Sequence, residues 1–130
     1  MFPARKGAWR SARTFIDTFC REAALAQEVA LKCSLVLEEL FLNTVTHGHG
    51  GDCDAPVWIR LVSSDDRVTV IYEDRAPPFN PFAPGRREEL EAIAPTRTEG
   101  GLGVILAHGF ASATRYTYLF GRNRIQLTLA

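Results

Sequence analysis

At 130 residues the chain has room for one hydrophobic core, stable without disulfides or structural metal, and none for a second catalytic domain, so a single domain over residues 1–130 is expected. Fifteen basic and fifteen acidic residues give a formal charge of zero, which excludes a global pull toward nucleic acid, so any partner must be recognised locally. No apolar run is long enough to cross a bilayer, and the start Met1-Phe2-Pro3-Ala4-Arg5-Lys6 lacks the apolar stretch of a secretory signal, so a cytoplasmic protein is expected.

From Trp9 to about Leu25, apolar residues at Trp9, Ala12, Phe15, Ile16, Phe19, Ala23 and Ala24 recur at the spacing of an amphipathic helix. A second helix is predicted from about Gln27 to His47, rich in Leu, Val and Phe from Leu31 through Val45. Within it Glu39, Asn43 and His47 recur every four residues and form one polar stripe. On a helix otherwise suited to burial, an acid, an amide and an imidazole in line point to the lining of a cleft. His47-Gly48-His49, without a nearby third ligand, is a weak metal signal and reads better as a helix-terminal loop. Cys20, Cys33 and Cys53 match neither a disulfide framework nor a zinc site and read as reduced packing thiols.

After the turn formers of Gly48 to Pro56, Val57, Ile59 and Leu61 alternate with Trp58 and Arg60, and Val68 to Tyr72 alternates again beyond Ser63-Ser64-Asp65-Asp66, which predicts an antiparallel hairpin. The stretch Arg75 to Gly85 is too rich in proline for a helix or central strand. With a short charged helix from Arg86 to Ile93, the interval Arg75 to Glu99 reads as a binding loop or lid. Gly100-Gly101-Leu102-Gly103 then opens an apolar helix, and Ala113 to Phe120 and Arg124 to Leu129, around Gly121-Arg122-Asn123, predict a second hairpin. The fold class that follows is α+β, a two-layer sandwich with helices on one face of a mostly antiparallel sheet.

Four features of this order carry chemistry. The amide oxygen of Asn43 is a hard neutral ligand suited to magnesium. The free donors of the helix that follows Gly103 make an anion site for phosphate. Asp74, at a strand end beside the proline loop, is placed to accept hydrogen bonds from the exocyclic amine of a base. Glu39, one turn before Asn43, is placed to orient or deprotonate a nucleophile attacking a terminal phosphate.

These motifs resemble those of the GHKL ATPase superfamily and, within it, the small bacterial anti-sigma-factor serine/threonine kinases. Glu39-Leu40-Phe41-Leu42-Asn43-Thr44-Val45-Thr46-His47-Gly48 is similar to their N box, Asp74-Arg75-Ala76-Pro77-Pro78-Phe79-Asn80-Pro81 to their first glycine box, and Gly100-Gly101-Leu102-Gly103 to their second. The resemblance implies ATP and Mg2+ as ligands. Asn43 would ligate the metal, Asp74 would read adenine, Gly101 and Gly103 would meet the phosphates, and Glu39 would serve as the catalytic residue, with His47, Ala76, Phe79, Gly100 and Leu102 completing the nucleotide site. It further implies phosphorylation of a STAS anti-anti-sigma partner coupled to sequestering a sigma factor, in a protein that is compatible with a homodimer and binds neither nucleic acid nor membrane directly. A regulatory module that holds a partner with weak or no kinase activity is the competing expectation. Two positions depart from the pattern: Ala76 stands where glycine is usual, so the backbone must avoid positive φ or carry strain, and Asn80 replaces the usual Asp.

Overall fold

The computed structural model describes residues 1–82 and 111–130. Two helices, α1 (Trp9–Glu22) and α2 (Gln27–Asn43), pack on one face of a five-stranded antiparallel sheet. The strands are β1 (Phe2–Pro3), β2 (Pro56–Ser64), β3 (Arg67–Asp74), β4 (Ala111–Leu119) and β5 (Arg122–Leu129), in the order β1-β2-β3-β5-β4. This is the predicted α+β sandwich. The one unpredicted strand, β1, is only two residues long, too short for any alternation to register, and pairs Phe2 with Val57 and Pro3 with Pro56.

Alternation decides which side of the sheet meets the helices. Val57 and Leu61 of β2, Val68, Val70 and Tyr72 of β3, and Ile125, Leu127 and Leu129 of β5 are all buried. Because the register pairs Tyr72 with both Ile59 and Ile125, and Val70 with both Leu61 and Leu127, they share one face. Against it lie Ile16 and Cys20 of α1 and Val29, Cys33, Val36, Leu37, Leu40 and Phe41 of α2. Each large aliphatic side chain so buried contributes roughly 1.5–3 kcal/mol. Cys20 of α1 and Cys33 of α2 are both buried in this core, and burial pushes both thiols up, Cys33 the further. They are packing thiols, as expected, and Cys53 is also free.

Both hairpins close through two-residue turns with positive φ at each position, at Asp65 and Asp66 (48° and 63°) and at Phe120 and Gly121 (53° and 74°). That conformation matches the right-handed twist of the flanking strands. The second turn therefore sits at Phe120-Gly121, and Arg122 and Asn123, expected in the turn, belong to β5. The short helix expected from Arg86 to Ile93, the glycine turn at 100–103 and the helix that follows it lie outside the described residues, as does most of the expected lid.

Helix α1 ends before the predicted Leu25 because the chain turns back through a left-handed residue. Ala24 has φ 52°, with its N–H donating to the Arg21 carbonyl and the Leu25 N–H to the Cys20 carbonyl. These are the two hydrogen bonds of a Schellman cap, whose left-handed position is usually glycine. An L-residue there costs about 1–2 kcal/mol of steric strain, part of which glycine returns as unfolded-state entropy. Ala24→Gly is therefore expected to stabilise the fold by about 0.5–1 kcal/mol, read as a raised urea midpoint at unchanged slope.

Candidate functional site

The site is built where the last turn of α2 meets the ends of β3 and β5. Helical geometry ends at Asn43, and Thr44–Gly48 forms a π turn. The cause is local: Thr44, Val45 and Thr46 are three successive β-branched residues, stiff at χ1 and poor helix formers. The hydroxyl of Thr46 also donates to the carbonyl of Leu42 at 2.7 Å, a contact that bends helices. Glu39 and Asn43 therefore keep the predicted one-turn spacing on α2 and are half-buried, while His47 falls in the widened turn and is exposed. The stripe does not run straight through to His47, because a π turn adds a residue to the repeat.

Asp74 ends β3 on the buried face and is only 6% exposed. Its Oδ1 accepts from the Ala76 N–H at 3.2 Å and from Asn123 Nδ2 at 2.8 Å, and its Oδ2 accepts from the Thr44 hydroxyl at 2.7 Å. Tyr72, fully buried, reaches the same Thr44 hydroxyl. Burial pushes the Tyr72 phenol well above its ordinary range, so it keeps its proton. The Leu40 carbonyl lies 2.9 Å from the Thr44 hydroxyl and 3.2 Å from that of Tyr72; with Thr44 giving its one proton to Asp74, the shorter contact, Tyr72 is the donor to Thr44.

Asn123 is the hub on the other side. It stands opposite Asp74 in the β3–β5 register and is 2% exposed. Its amide nitrogen lies 2.8 Å from Asp74 Oδ1, 2.9 Å from the Ala76 carbonyl and 3.1 Å from the Pro77 carbonyl. Its amide oxygen accepts from the Phe79 N–H at 3.0 Å and from the Tyr116 hydroxyl. One side chain thus fixes both the carboxylate and the start of the proline loop. Thr44, Tyr72 and Asn123 are site residues that motif reasoning passed over.

The two departures have structural explanations. Ala76 is buried and is not among the residues with positive φ, so the expected strain is avoided. Room for its methyl comes from Gly48, where an added Cβ would lie 2.7 Å from the Ala76 Cβ. Asn80 accepts from the Phe82 N–H at 2.9 Å, an Asx turn that its side-chain oxygen closes as an Asp would. Of the expected site residues, the structure gathers Asp74, Ala76 and Phe79 into one network and ties them to the end of α2, next to Asn43, through Thr44. Gly100, Gly101, Leu102 and Gly103 lie outside the described residues.

The acceptor capacity of Asp74 suits the chemistry of an amine donor. An ionised carboxylate offers about four acceptor positions, and the described residues fill three of those on Asp74, leaving one on Oδ2. Among the described residues no three His, Cys, Asp or Glu side chains cluster to hold a metal, and a carboxamide such as Asn43 is the kind of ligand that leaves most of a magnesium shell to water and phosphate. A model of the histidine kinase-like ATPase domain matches residues 2–129. No curated protein matches the chain.

The Gly48–Ala76 contact is expected to behave as a coupled pair. Gly48→Ala should destabilise by about 1–3 kcal/mol, the usual cost of overpacking. Ala76→Gly in the same chain should return a large part of that loss, so that a double-mutant cycle by urea denaturation gives a coupling above about 0.5 kcal/mol.

Proposed function

The chain belongs to the histidine kinase-like ATPase domain family, and from that membership we propose an ATP-dependent protein serine/threonine kinase of a bacterial partner-switching system. Its substrate in this reading is a hydroxyl of a STAS anti-anti-sigma partner, and it also acts as an anti-sigma factor. The observation that carries the reading is the 2.7 Å hydrogen bond from Thr44 to Asp74, which holds the helix bearing Glu39 and Asn43 against the carboxylate suited to a base.

In this proposal Asp74 accepts the exocyclic amine of adenine on its remaining Oδ2 position, while Ala76 and Phe79, held by Asn123, wall the base. The Asn43 carboxamide would hold magnesium, which when bound neutralises phosphate charge and orients the terminal phosphoryl group. Backbone N–H groups of Gly101 and Gly103 meet the phosphates, with Gly100, Leu102 and His47 beside them. That assignment is supported by the motif resemblance alone. Glu39, one turn before Asn43, accepts the proton of the attacking serine or threonine hydroxyl. A residue in that role acts in the transition state and leaves ground-state nucleotide affinity nearly alone.

Two substitutions separate these roles. Asp74→Asn is expected to weaken ATP by roughly 1–3 kcal/mol, since it disrupts a charge-assisted hydrogen bond in a buried site. Glu39→Ala is expected to keep ATP affinity within a few fold and to lower transfer of labelled γ-phosphate to a STAS protein by roughly 10²–10⁴, the range for a positioned base. A wild-type protein that binds ATP and a partner tightly yet transfers nothing would replace the kinase by a regulatory module. Calorimetry finding no ATP binding in the presence of magnesium would remove both.

A further inference from the structure

The face of the sheet turned away from α1 and α2 is strongly basic in a chain of zero net charge. The register places Trp58, Arg60, Val62, Arg67, Ile71, Glu73, Arg115, Arg122 and Arg124 on it, opposite in pleat to the buried rows. Five of these are arginines and one is an acid, so this face carries an excess of four positive charges while the whole chain sums to zero. The glutamate is already engaged: Glu73 pairs with Arg122 at 3.1 Å and Arg124 at 3.7 Å. Arg60, Arg67 and Arg115 are exposed, with no ion pair among the described residues. Arg60 and Arg115 lie at the two ends of one row, joined across the strands by Ile71 and Gln126.

Apolar side chains stand among these charges. Val62 is 44% exposed and Leu119, opposite Arg122, is 62% exposed. Such a mixture suits a partner that brings both carboxylates and aliphatic groups. A second copy of the same face would set arginine against arginine, which is repulsive. Nucleic acid is also disfavoured: the one aromatic side chain among these residues, Trp58, has the Arg122 guanidinium 3.7 Å and that of Arg75 5.6 Å from its ring, so it offers no open platform for a stacked base.

We propose that this outer sheet face docks an acidic, amphipathic protein segment, with the exposed arginines Arg60, Arg67 and Arg115 meeting its carboxylates and Val62 and Leu119 its aliphatic side chains. The proposal is independent of the nucleotide reading, since it uses the opposite side of the sheet from Asp74.

The test is fluorescence anisotropy with a labelled synthetic peptide carrying glutamate and leucine on adjacent faces of one helix. Wild type is expected to bind it in a salt-sensitive way. Arg60→Glu combined with Arg115→Glu should weaken binding by about tenfold or more, the scale of losing close charge pairs, with unchanged circular dichroism. Arg10→Glu combined with Arg13→Glu, on exposed positions of α1, should leave it within about twofold, as for surface changes away from an interface. Failure of wild type to bind, or equal loss in both variants, overturns the proposal. So does tighter binding of a single-stranded oligonucleotide than of the peptide, or a wild-type dimer that the sheet-face variant dissociates.

Discussion

A carboxylate taken out of water must be met by donors, and the burial of Asp74 imposes that condition on three separate parts of the chain. An unpaired ionised group in the interior costs several kcal/mol, so the position at the end of β3 is tenable only with Thr44 from the end of α2, Asn123 from β5 and the N–H of Ala76 converging on it. Tyr72 completes the chain: its hydroxyl meets that of Thr44 and the Leu40 carbonyl, while the one hydroxyl hydrogen of Thr44 serves Asp74. The helix, the strand pair and the proline loop are fixed relative to one another by this one polar cluster, at the margin of an otherwise apolar core.

That placement links fold to chemistry. Near the Asp65-Asp66 turn the sheet is held to the helices by Val68, Leu127 and Leu129 in apolar contact, which is strong but undirected. At the opposite end the contact is made by hydrogen bonds, which are directional and set the angle at which α2 delivers Asn43 beside Asp74. The π turn serves the same end. By leaving α-helical repeat at Thr44 it lets Gly48 come against Ala76, so the end of the helix seats on the loop that follows β3. The cluster holds the Asp74 carboxylate in one place with ordinary side chains.

Much of this was legible in the sequence because the signals are periodic. The 3.6-residue repeat marks α1 and α2, and alternation marks both hairpins. Periodicity fails where the repeat changes: no helical template anticipates the π turn, so the four-residue spacing puts His47 in line with Glu39 and Asn43 although it is exposed beyond them. Asn123 stands in Gly121-Arg122-Asn123, which has the composition of a turn, yet it heads the inward series Asn123, Ile125, Leu127 and Leu129. A polar residue in an apolar register was the available clue. Thr44 and Tyr72 gave no such signal, since a threonine in a helix and a tyrosine in a strand are ordinary until their hydroxyls are seen to meet.

The central claim is that Asp74 is held with one acceptor position ready for an exocyclic amine. Calorimetric titration of the wild-type chain with ATP and with inosine triphosphate, which carries an oxygen where adenine carries the amine, tests it directly. The account requires the inosine nucleotide to bind at least about tenfold more weakly, the equivalent of one hydrogen bond to a charged group at about 1.4 kcal/mol or more, and requires Asp74→Asn to shrink that difference. Equal affinities for the two nucleotides in the wild type would contradict it.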